Sequence, residues 1–354
     1  MIAATSSPSQ LPPALAPPSW QQVLAQAITD PRELLALLGL SDACLPQALL
    51  AAQSFALRVP RGFVGRMRYA DPDDPLLRQV LPLGAENLLR EGFGLDPVGD
   101  LESRIASGVL HKYHGRALVI ATGACAVHCR YCFRRHFPYA DEQAGSDGWR
   151  AALDTLSSDT SISEVILSGG DPLSLSDRRL TQFTDGLRAL PHIRRIRVHT
   201  RQPIVLPERV DRGLLTWLGG CELQKVMVLH ANHAQEIDAQ VRQACRALAA
   251  TGTVLLNQTV LLAGVNDSIE ALVDLSEALF GAGVMPYYVH LLDRVQGAAH
   301  FEVPEDVARR LIHAVAERLP GYLVPKLVRE VSGAGAKTPI DRFVNDVEMT
   351  DNRS

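Results

Sequence analysis

Six short apolar runs recur through the middle of the chain, at 117–122, 164–168, 193–199, 222–230, 253–261 and 285–291. Polar or glycine-bearing residues follow each run, and stretches with helical periodicity lie between them, such as 234–249 and 268–280. A strand with one wet face alternates apolar and polar residues, whereas a strand buried on both faces is apolar nearly throughout. These runs therefore predict an α/β fold with a parallel sheet covered by helices. Six units favour a partial (β/α)6 barrel over a closed eight-stranded one. Functional residues in such folds collect at the carboxyl ends of the strands. That rim would carry Thr122 to Cys125, Ser168-Gly-Gly-Asp171, His199-Thr-Arg201, His230-Ala-Asn232 and His290-Leu-Leu-Asp293.

The flanks read differently. Residues 1–18 are rich in Pro, Ser and Ala and are expected to form a flexible tail. Residues 19–105 form a helical N-terminal region, in which Asp30-Pro31 supplies an N-cap and first helical residue and Gly39 a stop. Further helical stretches are expected at 46–57 and 75–91, divided by prolines 60, 72, 75 and 82. The core then spans 106–320. A C-terminal segment, 321–354, adds an apolar stretch from Val324 to Val328, a glycine-rich loop and a polar end.

The chain has 354 residues, of which 47% are hydrophobic, enough for a barrel-sized core with attachments. A net charge of −4 and a pI near 6.3 leave no global footprint for nucleic acid or membrane. No apolar run approaches the roughly 18–20 residues of a membrane span. The first ten residues lack the basic and apolar regions of a signal peptide. Six cysteines, three of them clustered, fit a reducing cytoplasm. Cys44, Cys221 and Cys245 sit among apolar residues as ordinary buried thiols.

The clustered three are Cys125, Cys129 and Cys132, spaced C-x3-C-x2-C directly after the first apolar run. Thiolates this close serve a soft metal and suit an iron–sulfur cluster. A closed electron-transfer cluster takes four cysteines, so three leave one iron open. His136 offers an alternative, a Cys3His zinc site in a non-enzymatic protein. A disulfide framework would leave one thiol unpaired.

The spacing C-x3-C-x-aromatic-C resembles the signature of radical S-adenosylmethionine (SAM) enzymes. The wider stretch Cys132-Phe-Arg-Arg-His-Phe137 is similar to the lysine 2,3-aminomutase family in particular. That resemblance covers roughly residues 25–340, and it implies a radical SAM partial barrel. It implies three cofactors: a [4Fe-4S] cluster on the three cysteines, SAM, and pyridoxal 5′-phosphate (PLP).

Ser168-Gly169-Gly170-Asp171 reads by itself more often as a strand-to-helix turn than as glycines admitting a ligand. The resemblance places SAM there, with Tyr131, His230 and Gln258 as further contacts. PLP requires a lysine for its Schiff base. Only Lys112, Lys225, Lys326 and Lys337 are available. Lys225 and Lys326 lie in strand-like runs. Lys337 follows Ser332-Gly-Ala-Gly-Ala336 and precedes Thr338-Pro339, as the PLP-carrying loop does in the family. A nucleotide P-loop is excluded, because Val331 and Ala336 stand where its glycines belong. A plain flexible loop remains the alternative. Lys112, Tyr113 and Arg116 match the family's PLP phosphate site.

For the substrate, Arg134 can grip an α-carboxylate with its fork. Asp293 and Glu330 can face a distant ammonium. The free-lysine metabolic enzymes carry two aspartates at these points, so Glu330 is one methylene longer than the pattern. These matches imply an isomerase converting L-lysine to β-lysine. The Trp20–Leu40 opening and Val324–Glu330 resemble the branch that makes (R)-β-lysine for elongation factor P, in company with a lysyl-tRNA-synthetase-like ligase. A metabolic aminomutase acting on lysine or on another amino acid such as glutamate is the alternative.

Overall fold

The computed structural model describes residues 18–142 and 146–341. The tail expected over 1–18 lies, apart from Pro18, outside the described residues, as does the polar C-terminal end. Ten strands form one sheet whose spatial order is the sequence order. They are β1 (Arg104–Ala106), β2 (Val109–Tyr113), β3 (Arg116–Thr122), β4 (Glu164–Gly169), β5 (Arg195–Thr200), β6 (Gln224–Leu229), β7 (Val254–Val260), β8 (Met285–His290), β9 (Lys326–Arg329) and β10 (Thr338–Pro339). Strands β3 to β9 are parallel. β1, β2 and β10 pair antiparallel at the two ends.

The six expected strands are β3 to β8. The structure adds a seventh parallel strand, because the Val324–Val328 stretch pairs alongside β8 through Leu327 and Val328. It also replaces the end of the expected helical region with the β1–β2 hairpin. Val109 and Leu110 are buried against β3, and Gly108 and Gly115 adopt φ +70° and +74° at the turns. The stretch 75–91 is not one helix. It forms a single turn at Pro75–Arg78 and a 3-10 turn at Gly84–Asn87, since Pro82 lacks the N–H a continuing helix would need. Asp30 does cap the Pro31–Leu37 helix through Arg32 N at 2.9 Å.

Between the parallel strands run helices Ser146–Ser158, Asp177–Arg188, Arg212–Gly220, Ala239–Ala250, Ile269–Gly281 and Glu305–Arg318. The first four pack Leu156, Phe183, Leu187, Leu214, Trp217 and Leu248 against one face of the sheet, onto Val119, Val165, Leu167, Val198 and Met227. Side chains one residue along point to the other face. There Leu118, Ile166, Ser168, Arg197, His199 and Gln258 line a cavity.

The two ends of the sheet meet across that cavity. The Tyr113 hydroxyl, at the end of β2, donates to Glu330, just past β9. Lys112 Nζ is 3.9 Å from Glu330 Oε1. Seven strand steps separate β2 from β9, which in a flat sheet is about 34 Å. The sheet therefore curls around its inner face.

The N-terminal helices form a second core. Trp20, Ile28, Leu34, Leu57, Phe63 and Leu77 bury together with Ala126 and Val127 from the loop after β3. Burial of each large apolar side chain contributes about 1.5–3 kcal/mol. This shared core fastens the cysteine loop to the N-terminal region.

Candidate active site

The cysteine loop is pinned at several points. His128 N donates to Arg58 O at 2.9 Å, and Arg130 N to Gln79 O at 2.9 Å. The Arg130 guanidinium is fully buried and reaches both carboxylate oxygens of Glu86, at 2.9 and 2.5 Å. Cys125, Cys129 and Cys132 are free, half-buried thiols. Burial pushes Cys125 up, with Asp171 and the other two cysteines adding to it. Burial and Cys129 push Cys132 up to about 11. Thiolates at Cys125 and Cys132 are thus disfavoured without positive charge beside them, which an iron–sulfur cluster held by the three cysteines would supply. Among the described residues, no three His, Cys, Asp or Glu side chains stand close enough to share a single ion. His136, the fourth ligand of the zinc alternative, sets its Nε2 3.1 Å from Gln296 O.

The glycine pair after β4 is required by close approach to this loop. Gly169 has φ +114°, and a Cβ there would stand 2.7 Å from Thr122 O. A Cβ on Gly170 would meet Ala124 O at 2.6 Å and the Gly123 carbonyl carbon at 2.7 Å. The N–H groups of Gly170 and Asp171 are already taken within the chain. Gly170 N donates to Thr122 O at 2.7 Å and Asp171 N to Ala124 O at 2.8 Å. The Asp171 carboxylate is likewise engaged internally, accepting from Thr200 Oγ1, Arg201 N, Gln202 N and Leu173 N. It ties the ends of β4 and β5 together.

Beside this rim lies a cavity of about 290 Å³. It brings together Lys112, Tyr113, Arg116, Arg134, Ser168, His230, Gln258, Asp293, Glu330 and Lys337. Tyr131, Gly169, Gly170, Asp171 and the three cysteines are not among its lining residues. Tyr131 instead accepts from Asn232 Nδ2 at 2.7 Å and packs edge-on to Phe301.

Two cations of the cavity share one carboxylate. Buried Arg134 donates from Nε to Asp100 Oδ2 at 2.7 Å and from Nη1 to Ser168 Oγ at 2.9 Å. Lys112 Nζ binds Asp100 Oδ1 and Val98 O, each at 2.7 Å. Burial raises the Asp100 carboxyl, but Arg134 and Lys112 outweigh it and hold the group at about 2. Asp100 was missed by the sequence reading, since a lone acid in a loop carries no signal until folding sets it between two cations. Arg116 lies 5.0 Å over the Tyr113 ring and has no carboxylate partner among the described residues. Of the three residues expected at a phosphate, Arg116 is thus open to an anion, while Lys112 and Tyr113 are engaged by Asp100 and Glu330.

Two further acids, Asp293 and Glu330, line the same cavity, Glu330 beside Lys112 and Tyr113. Lys337 Nζ is 2.8 Å from Glu330 Oε2. Burial lifts the Asp293 carboxyl to about 7. Burial keeps His199, His230 and His290, which also line the cavity, neutral, His230 being pushed down to about 3. His230 Nε2, His290 Nε2 and Gln258 Oε1 are buried without hydrogen-bond partners. Such atoms are rare in folded proteins and mark a place where a polar ligand belongs.

The fold and site are those of an α/β protein whose curled sheet closes on a charged cavity beside a three-thiol loop. The chain is 50% identical to the L-lysine 2,3-aminomutase of Escherichia coli (strain K12) over 326 residues, 91% of this chain and 94% of that protein. It is 43% identical to the protein of that name from Haemophilus influenzae, over 90% of this chain and 95% of that one. To the one from Clostridium subterminale it is 34% identical, over 76% of this chain and 65% of that one. No protein-family model matches the chain. Among solved structures, a radical SAM methyltransferase from Sphaerobacter thermophilus aligns with 64% of this chain and 71% of that one, at TM-score 0.45 and 18% identity, too slight a likeness to carry an argument. The chain belongs to the L-lysine 2,3-aminomutase family and is an isomerase of the aminomutase class. A non-enzymatic zinc protein is thereby set aside.

Proposed function

We propose that the protein converts L-lysine to (R)-β-lysine by moving the α-amino group to C3, using an iron–sulfur cluster, SAM and PLP. The observation that carries this reading is one cavity lined both by cations, Arg134 and Lys112, and by acids, Asp293 and Glu330. Lysine has the matching charges, a carboxylate at one end and an ammonium at the other. Glutamate would set its second carboxylate against two acids.

In this reading Cys125, Cys129 and Cys132 hold the cluster. Tyr131, His230 and Gln258 adjoin SAM, with Ser168, Gly169, Gly170 and Asp171 shaping that side of the site. Lys337 carries PLP, and Lys112, Tyr113 and Arg116 hold its phosphate. When bound, these groups supply a carbon radical that abstracts hydrogen and a conjugated ring that eases the amino shift. The residues of the chain bind, orient and shield. Arg134 is held by Asp100 through Nε and by Ser168 through Nη1, which leaves Nη2, rather than the whole fork, for the substrate carboxylate. Asp293 and Glu330 fix the length of the side chain between C3 and its terminal ammonium. Three neutral imidazoles line the cavity without adding charge that would attract water.

The product is assigned to modification of elongation factor P, through its lysyl-tRNA-synthetase-like ligase, in the cytoplasm. The supports are the resemblance of the 20–40 and 324–330 stretches to that branch, and six free thiols that suit a reducing compartment. Among the described residues no helix is long and apolar enough to cross a membrane.

The test is anaerobic incubation of the reconstituted protein with SAM, PLP, a reductant and L-lysine, followed by chiral separation. (R)-β-Lysine is expected. (S)-β-Lysine would move the enzyme to lysine metabolism, and β-glutamate formed from glutamate in its place would overturn the substrate.

A further inference from the structure

Arg201 follows β5 and is not among the residues lining the cavity. Its guanidinium is buried and faces two ways. Nη2 donates to Gln79 Oε1 at 2.6 Å and to Glu236 Oε2 at 2.9 Å. Nη1 donates to Cys129 Sγ at 2.8 Å. The contact is not that of a loose surface side chain. Glu236 is itself held by Asn232 N at 2.9 Å and His233 N at 3.1 Å. The Arg201 backbone N–H is fixed by Asp171 Oδ2 at 2.8 Å, and the guanidinium lies 5.6 Å over the Tyr131 ring. Among the described residues, neither Cys125 nor Cys132 receives a hydrogen bond from a charged side chain.

We infer that Arg201 is a positioning residue that sets the reduction potential of the group on Cys125, Cys129 and Cys132, by holding a permanent positive charge and an N–H donor on one sulfur. This rests on the reading that the three thiols hold an iron–sulfur cluster. A reduced cluster carries one more negative charge than an oxidised one, so cations and hydrogen bonds at its sulfurs favour reduction. Arginine does not lose its proton in proteins, so the effect persists at every working pH. Glu236 offsets part of the charge, but it bonds the opposite amine and leaves Nη1 on the sulfur. The buried ion pair also explains why a carboxylate is present so near a thiol that must ionise: it anchors the guanidinium.

The test uses the full-length protein, anaerobically reconstituted, beside Arg201→Lys and the double variant Arg201→Met/Glu236→Gln, which leaves no lone buried carboxylate. Iron and sulfide are counted, and the midpoint potential is then measured by a redox titration followed by electron paramagnetic resonance, without SAM or lysine. The expected result is parental iron and sulfide in both variants, with a midpoint shifted negative, more in the double variant than in Arg201→Lys. An unchanged midpoint would overturn the inference. Loss of iron from both variants would also overturn it, making Arg201 a scaffold residue. Failure of the parent protein to take up iron and sulfide would defeat the cluster reading itself, before any variant is compared.

Discussion

Lys337 Nζ lies 2.8 Å from Glu330 Oε2, so the lysine proposed to carry PLP and the acid proposed to meet the substrate's far end are each other's partners. The pairing follows from the β9–β10 ladder, in which Thr338 pairs with Arg329 and sets the residues just inside it side by side. Attachment of a cofactor to Lys337 would take up the nitrogen that now donates to Glu330, leaving the acid to Tyr113 and Lys112. Lys337→Ala is expected to abolish the visible absorbance of protein-bound PLP after gel filtration. An unchanged spectrum would move the attachment site elsewhere.

Glu330→Gln removes one of two acids from the ammonium end while keeping the side-chain length. Hydrogen bonds to charged groups contribute about 1.5–3 kcal/mol, so KM for lysine should rise on the order of 10- to 100-fold. Spectroscopic PLP loading should persist. A KM within twofold of the parent would exclude Glu330 from substrate binding.

The Asp293 carboxyl is lifted to about 7 by burial, so in the free enzyme it is neutral below that pH and ionised above it. The substrate ammonium, with an ordinary pKa near 10.4, stays charged throughout this range. Lysine binding should therefore strengthen as pH rises from 6 to 8, KM falling by up to about tenfold per unit below the transition. Asp293→Asn should flatten that profile. The same shift lowers stability as pH rises from about 4 to about 7, where the unfolded chain has released a proton that native Asp293 keeps, and the loss is complete above that.

Gly170→Ala would place a Cβ 2.6 Å from Ala124 O, a backbone atom that cannot swing aside. Overpacking of this kind costs about 1–3 kcal/mol. Since Ala124 adjoins Cys125, the variant is expected to melt at a lower temperature and to bind less iron per chain after reconstitution. Parental values for both would show that the loop has slack.

Much of the fold was legible because burial on both faces writes itself into continuous apolar runs, and β3 to β8 fall where those runs lie. β9 was harder to read, since four residues of strand carry little signal without β8 beside them. β1 and β2 were hidden by a region whose earlier part is helical. Within the site, motifs that act through chemistry at fixed spacing were visible, the cysteine loop above all. Asp100 and Arg201 were not assigned a role, because each acts through a partner distant in sequence, Arg134 for one and Cys129 for the other. The glycine pair was noticed, but its packing duty against the cysteine loop needed coordinates.

The most direct measurement follows hydrogen rather than product alone. L-Lysine deuterated at C3 would be incubated with the reconstituted protein, SAM, PLP and a reductant, and 5′-deoxyadenosine and β-lysine analysed by mass spectrometry. Radical transfer within one cavity predicts deuterium in both molecules. β-Lysine formed with no deuterium in 5′-deoxyadenosine would contradict it.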